Sequence, residues 1–245
     1  MKTNIIRLLE TESTNSYAIN LLSEKRPAEG CVILADYQTK GRGTDSNSWE
    51  SEMGKNLTFS LILYPAFTAD RQFVLNKAIS LGICDYLQSA LTDHTVSIKW
   101  PNDIYIADKK ACGILIQNSV IGNRLDYVVV GIGLNVNQTV FVSDAPNPVS
   151  MHMASGLHYM LSAVLDQLLV FIMKRYVQVS QGESARVEAD YLSVLYRYMK
   201  WHYFVVKGKS LVARITGTNA YGQLELETEA GEELVCDLKE VKFVI

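Results

Sequence analysis

The residues of this sequence best suited to chemistry lie in three short segments. The first is Asp36-Tyr37-Gln38-Thr39-Lys40-Gly41-Arg42-Gly43-Thr44-Asp45-Ser46-Asn47-Ser48-Trp49. A glycine on each side of Arg42 lets backbone N–H groups approach a phosphate while the guanidinium neutralises it. Arginine suits that role because its planar fork grips two oxygens at once. Trp49 ends the segment with a flat face on which a purine can stack. Gly-Arg-Gly alone is a short match that ordinary surface loops also carry. The second segment is Lys99-Trp100-Pro101-Asn102-Asp103-Ile104, followed by Lys110-Ala111-Cys112-Gly113. Pro101 removes a backbone donor and forces a turn, presenting Asn102 and Asp103 at a strand edge. Lys110 is the right group to neutralise a substrate carboxylate and a phosphate brought together. Gly113, inside an apolar strand, implies close approach to the backbone. The third segment, Val130-Gly131-Ile132-Gly133-Leu134-Asn135, is a strand end that can set an amide side chain against a ligand. It lacks the following helix and acidic residue of a dinucleotide fold.

The elements that must position these residues follow from hydrophobic period. Ser13 or Thr14 caps a helix with Tyr17, Ala18, Leu21 and Leu22 on its apolar side, ending before Pro27. Cys31 to Ala35 reads as a buried strand, and Asp36 to Gly54 as a long loop without period. In the strand from Asn56 to Tyr64, Leu57, Phe59, Leu61 and Leu63 share one face, with Thr58 and Ser60 opposite. Asp70 caps a helix to about Leu91. Strands follow at Thr95–Trp100, Asp103–Ile106, Ala111–Gln117 and Asp126–Gly133, with Asp108-Lys109 as a hairpin tip. Helices are expected from Leu157 to about Lys174 and from Ser184 to about Met199. After Trp201 the texture changes to short strands separated by Lys207-Gly208, Tyr221-Gly222 and Ala230-Gly231. The fold class is therefore α+β: a mixed sheet backed by helices over residues 1–198, and a small all-β domain over 199–245.

Composition narrows the function. The 245 residues are 48% hydrophobic, enough for one good-sized core. The net charge of -3 argues against a general nucleic-acid binder. Four scattered cysteines without CxxC spacing, and histidines without ligand spacing, indicate neither a disulfide framework nor a protein-built metal site. No signal-peptide pattern or membrane-length apolar run appears, so a cytoplasmic location and no membrane partner are expected.

In this order and with these separations, the three segments resemble the signature of biotin protein ligases. Those enzymes carry a Gln-Thr-x-Gly-Arg-Gly loop, a Lys-Trp-Pro-Asn-Asp block with a downstream lysine and glycine, and a Gly-Ile-Gly-x-Asn-Val strand end. Glu12-Ser13-Thr14-Asn15 is similar to a further Ser-Thr-Asn motif, and the β-rich tail resembles the family's small SH3-like C-terminal domain. The resemblance implies an ATP-dependent, AMP-forming ligase that makes biotinyl-adenylate and transfers biotin to a lysine of the biotin carboxyl carrier domain of a carboxylase. Mg²⁺ would arrive with ATP. It places biotin against Ser13, Thr14, Asn15, Gln38, Arg42, Gly43, Thr44, Lys110 and Gly113. It places the nucleotide against Arg42, Trp49, Asn102, Lys110 and Asn135. Lys110, Arg42 and Asp103 become the catalytic residues. A homodimer formed through a sheet edge is compatible with this reading.

Two departures from the family pattern matter. Its loop often reads Gly-Arg-Gly-Arg-x-Gly, whereas Thr44, Asp45 and Ser46 stand here. One lost charge-assisted contact is worth about 1.5–3 kcal/mol, so adenylate retention is weaker or Lys40 compensates. The catalytic motifs also begin at once, which leaves no expectation of a DNA-binding repressor. The alternatives are a lipoate or octanoate ligase of related fold, and a biotin sensor without transfer activity.

Overall fold

Alternation along the central strands gives the sheet two apolar faces. The computed structural model describes residues 4–43, 47–143 and 147–244. Val32 and Leu34 of β2 (Val32–Gln38) face one core while Ile33 faces another, which is why this run is apolar without interruption. The same division holds in β3 (Leu57–Leu63), where Leu57, Phe59, Leu61 and Leu63 enter the larger core and Ile62 the smaller. With β1 (Ile5–Thr11), β4 (Val96–Lys99), β5 (Asp103–Ile106), β6 (Lys109–Ile121) and β7 (Arg124–Leu134), these form a seven-stranded sheet in the order β1-β2-β3-β7-β6-β5-β4. Only the β1–β2 pairing is parallel, so the sheet is mixed.

Helix α1 (Thr14–Glu24) packs Ala18 and Leu21 over the smaller core. The larger core is covered by α2 (Gln72–Ala90), α4 (Leu161–Ser180) and α5 (Ser184–Ser193). A short helix, α3 (Met151–Ser155), is capped by the Ser150 side chain accepting from the Met153 amide at 3.1 Å. Strands β8 (His202–Val206), β9 (Lys209–Thr218), β10 (Leu224–Thr228), β11 (Glu233–Cys236) and β12 (Val241–Phe243) form a second, antiparallel sheet. Its turns fall at the expected Lys207-Gly208, Tyr221-Gly222 and Ala230-Gly231.

Several expected boundaries shift. β1 was not expected: its apolar pairs are broken by Arg7 and Glu10, and an edge strand shows little period. Asp70 lies within a 3-10 turn, Ala69–Arg71, ahead of α2 rather than at its cap. The helix expected from Leu157 starts at Leu161, and the one expected to reach Met199 ends at Ser193.

Gly82 shows how closely α2 and α4 approach. A Cβ there would lie 2.6 Å from the Ile172 Cα and 2.9 Å from its nitrogen, both backbone atoms of α4. Gly82→Ala is therefore expected to destabilise the protein by about 1–3 kcal/mol through overpacking, although alanine is the better helix former by about 1 kcal/mol. Urea unfolding checks this, and an unchanged or raised midpoint would contradict the contact.

No helix among the described residues is long and apolar enough to cross a membrane.

Candidate active site

The face of the sheet that turns toward α1 is hollowed by glycine. In β7 the side chains of Val130, Ile132 and Leu134 enter the large core, so the residues between them, Gly131 and Gly133, project the other way. In β6, Cys112 and Ile114 face that core and Gly113 lies opposite. Gly113 pairs directly with Gly133 across the ladder, and Leu115 with Gly131. Missing side chains at adjacent positions leave a trough. Its lining includes Ser13, Thr14, Asn15, Gln38, Arg42, Gly43, Trp49, Asp103, Lys110, Gly113, Leu115, Gly131 and Gly133, around about 500 Å³ of space partly open to solvent.

One wall is a hydrogen-bonded amide and hydroxyl network at the start of α1. Gln38 Oε1 accepts from the Thr14 amide at 2.7 Å and from Thr14 Oγ1 at 3.1 Å. Ser60 Oγ lies 2.8 Å from Thr14 Oγ1 and 2.6 Å from Asn15 Oδ1. Asn15 Nδ2 donates to the Leu115 carbonyl at 3.1 Å and to Gln117 Oε1 at 2.9 Å. Ser13, Thr14, Asn15 and Ser60 are all buried. Satisfied networks of this kind fix side-chain orientation, and they leave the Gln38 amide group oriented by Thr14.

The opposite wall carries charge. Lys110 Nζ sits 2.7 Å from Asp103 Oδ1, and both side chains are about three-quarters buried. The same ammonium lies 5.9 Å from the centroid of the Trp49 ring. Arg42 reaches the cavity from a segment folded back on itself: it bridges to Ser48, and the Trp49 amide donates to the Gly41 carbonyl at 3.0 Å. A Cβ on Gly41 would lie 2.6 Å from the Trp49 carbonyl oxygen, so the fold-back requires glycine there. Arg42 and Lys110 thus meet around one cavity. Cys112 is no rival nucleophile: it is buried, and burial pushes its thiol pKa far up.

Trp49 is not presented as a free flat face. Its indole rests on the two paired glycines, with Cζ3 2.9 Å from a Cβ placed on Gly113 and Cε2 2.3 Å from one on Gly133. The close approach inferred from Gly113 is therefore made by this indole. Asn102 and Asn135 stand outside the lining. Asn102 is buried with Nδ2 3.3 Å from the Ile114 carbonyl, and Asn135 is buried with Nδ2 donating to the Val149 carbonyl at 3.1 Å. Thr44, with Asp45 and Ser46, lies outside the described residues. Lys40 is engaged elsewhere, 2.7 Å from Glu12 Oε1, and holds that carboxyl below the ordinary carboxylate range.

Ser60 and Gln117 were not picked out as site residues, and Gly131 and Gly133 were named only as part of the strand end that leads to Asn135. The signal for Ser60 was present: a hydroxyl in the middle of an apolar strand must find a partner.

Comparison with known proteins agrees with the geometry. The model of the "Biotin/lipoate A/B protein ligase family" matches residues 9–135. The chain is 35% identical over 169 residues to the bifunctional ligase/repressor BirA of Bacillus spizizenii, covering 67% of this chain and 51% of that protein. It is 33% identical over 130 residues to the biotin--[acetyl-CoA-carboxylase] ligase of Paracoccus denitrificans, covering 53% of each. The chain spans about half the length of these curated relatives. Among solved structures, the biotin protein ligase from Aquifex aeolicus in complex with biotin and ATP superposes with a TM-score of 0.80 at 25% identity, over 100% of both chains. On the family model and on the motif residues gathered around one trough, the chain belongs to the biotin/lipoate A/B protein ligase family.

Proposed function

We propose that the protein joins biotin to ATP as biotinyl-adenylate and passes the biotinyl group to a lysine of a biotin carboxyl carrier domain. The observation that carries this reading is the meeting of Arg42 and Lys110 around a trough whose other wall is the Thr14–Gln38–Ser60 network. A ureido ring offers donors and a carbonyl acceptor, which that network matches. The valeryl chain would run along the glycine floor, bringing its carboxylate to the cations.

In the first step a carboxylate oxygen attacks the α-phosphorus, the bond to the β-phosphate oxygen breaks, and pyrophosphate leaves. Lys110 and Arg42 counter the negative charge that gathers on the phosphorus oxygens. Lys110 must first release Asp103, so the ion pair stores the ammonium beside the place where it acts. In the second step the carrier lysine amine attacks the acyl carbon and the bond to AMP breaks. Asp103, freed from Lys110, orients that amine or takes its proton. The indole of Trp49 must leave the glycine floor for the acyl chain to lie there, which makes Trp49 the moving part. Magnesium would come with the triphosphate. Among the described residues, Asp103 is the one carboxylate lining the trough, and no group of three metal-binding side chains occurs.

Incubation with ATP, a purified carrier domain and either biotin or lipoate, read by intact mass, tests this. Biotin is expected to raise the carrier mass and lipoate to leave it unchanged. Modification by lipoate alone would assign the other branch of the family. Stabilisation by biotin without transfer would assign a sensor.

A further inference from the structure

We propose that the C-terminal sheet is a positioning element for the turn that carries Asn102 and leads into Asp103, acting through Trp100. This turn joins β4 to β5, and Trp100 within it is buried. Its indole Nε1 donates to the carbonyl of Gly222 at 2.9 Å. Gly222 belongs to the turn between β9 and β10, so one hydrogen bond ties the second sheet to the block that supplies Asp103. The acceptor is fixed in place. Gly222 has φ +87°, and a Cβ on it would lie 2.5 Å from Phe73 Cδ2, so the turn is seated on α2 in a conformation that favours glycine.

Two further contacts from the C-terminal side reach the same strand pair. Lys99 Nζ lies 4.6 Å from the centroid of Phe243 in β12, and Lys99 is paired with Asp103 across the β4–β5 ladder. Tyr196, which precedes the sheet, donates its amide to the Ile98 carbonyl at 2.8 Å. From the other side the Tyr191 hydroxyl donates to the Pro101 carbonyl at 3.0 Å, completing the cradle. Asp103 in turn holds Lys110 at 2.7 Å. The chain of contacts therefore runs from Gly222 through Trp100 to the Asp103–Lys110 pair, and it does not pass through the Thr14–Gln38 wall. Trp100 and Gly222 touch no reacting atom; they act by setting where Asp103 and Lys110 stand.

The kinetic arm of the test rests on the ligase reading; the exchange arm does not. In the full chain, Trp100→Phe keeps a ring but removes the donor. Assayed well below its melting temperature, it is expected to lower the rate of pyrophosphate release about tenfold, with the KM for biotin unchanged. Amide exchange across Ile98–Ile104 is expected to accelerate in the same variant, with no ligand present. Gly222→Ala displaces the acceptor, and the Trp100→Phe/Gly222→Ala pair is expected to be no slower than the slower single variant, because both remove one contact. Multiplying effects, a KM for biotin that rises with the fall in rate, or unchanged exchange across Ile98–Ile104 would each overturn the proposal. Should Gly222→Ala fail to fold, the Trp100→Phe rate, KM and exchange decide alone. If the wild-type chain releases no pyrophosphate with biotin, the ligase reading fails, and the exchange result still decides the positioning role.

Discussion

Lys110→Ala is expected to slow pyrophosphate release from ATP and biotin by about 100- to 1,000-fold, the loss typical of removing one preorganised group facing developing negative charge. Arg42 and Lys110 are the cations that line the trough, and Arg42 sits on an exposed fold-back while Lys110 springs from β6. The fixed member of the pair is therefore the one whose loss should hurt most. The substitution does a second harm. It leaves Asp103 without its partner at 2.7 Å, an uncompensated carboxylate next to an incoming carboxylate and phosphate. Adding Asp103→Asn to Lys110→Ala is expected to recover part of the lost affinity for ATP while leaving the chemical step slow. Biotin affinity should fall too, but by less than the rate, because the Thr14–Gln38–Ser60 wall is untouched while the biotin carboxylate loses one of its two cations. Near-normal pyrophosphate release by Lys110→Ala would defeat the assignment.

Gly131→Ala should produce the next largest loss, this time in biotin affinity. Gly131 lies between Ser60 of β3 and Leu115 of β6 in the ladder, and Asn15 spans it. A Cβ there would fall 2.4 Å from Asn15 Oδ1 and 2.9 Å from its Cγ. The amide has no retreat, because Nδ2 is bound to the Leu115 carbonyl and Gln117 Oε1 while Oδ1 accepts from Ser60. Displacing it takes from the buried Ser60 hydroxyl the shorter of its two contacts, leaving only Thr14 Oγ1, and shifts the first turn of α1, which carries Thr14. Breaking one buried polar contact costs about 1–3 kcal/mol, so biotin affinity is expected to fall at least about tenfold. Calorimetric titration checks this, with circular dichroism to show that the sheet persists. Unchanged affinity would mean that the Asn15–Ser60 pairing does not shape the site.

Much of this was legible in the sequence because it is local. The run of β3, with Ser60 facing away from Phe59, follows from strand period alone, as do the turns of the C-terminal sheet. The chemistry of Arg42, Asp103 and Lys110 followed from residue type, and their convergence followed from the resemblance. What was hidden is non-local. That Trp49 lies on Gly113 and Gly133 depends on a loop folding back over two strands, and no window of sequence contains those partners together. Asn102 and Asn135 carry the right side chains for a ligand, and only the assembled strands show that their Nδ2 atoms lie against the carbonyls of Ile114 and Val149 while the buried Asn135 Oδ1 has no hydrogen-bond partner among the described residues. β1 was invisible for a third reason. At an edge, Leu9 stays largely exposed and only its parallel pairing with β2 marks it as a strand. The C-terminal module was read as a separate all-β domain, and its contact with Trp100 appears only where the two sheets meet.

The most direct test is a crystal structure with biotin and a non-hydrolysable ATP analogue. The ureido ring is expected against Thr14 and Gln38, the Trp49 indole lifted from Gly113 and Gly133, and Lys110 Nζ moved from Asp103 to lie between the biotin carboxylate and the α-phosphate. Ligands bound elsewhere, or in the trough with Lys110 still paired to Asp103 and remote from both oxygens, would contradict the proposed function.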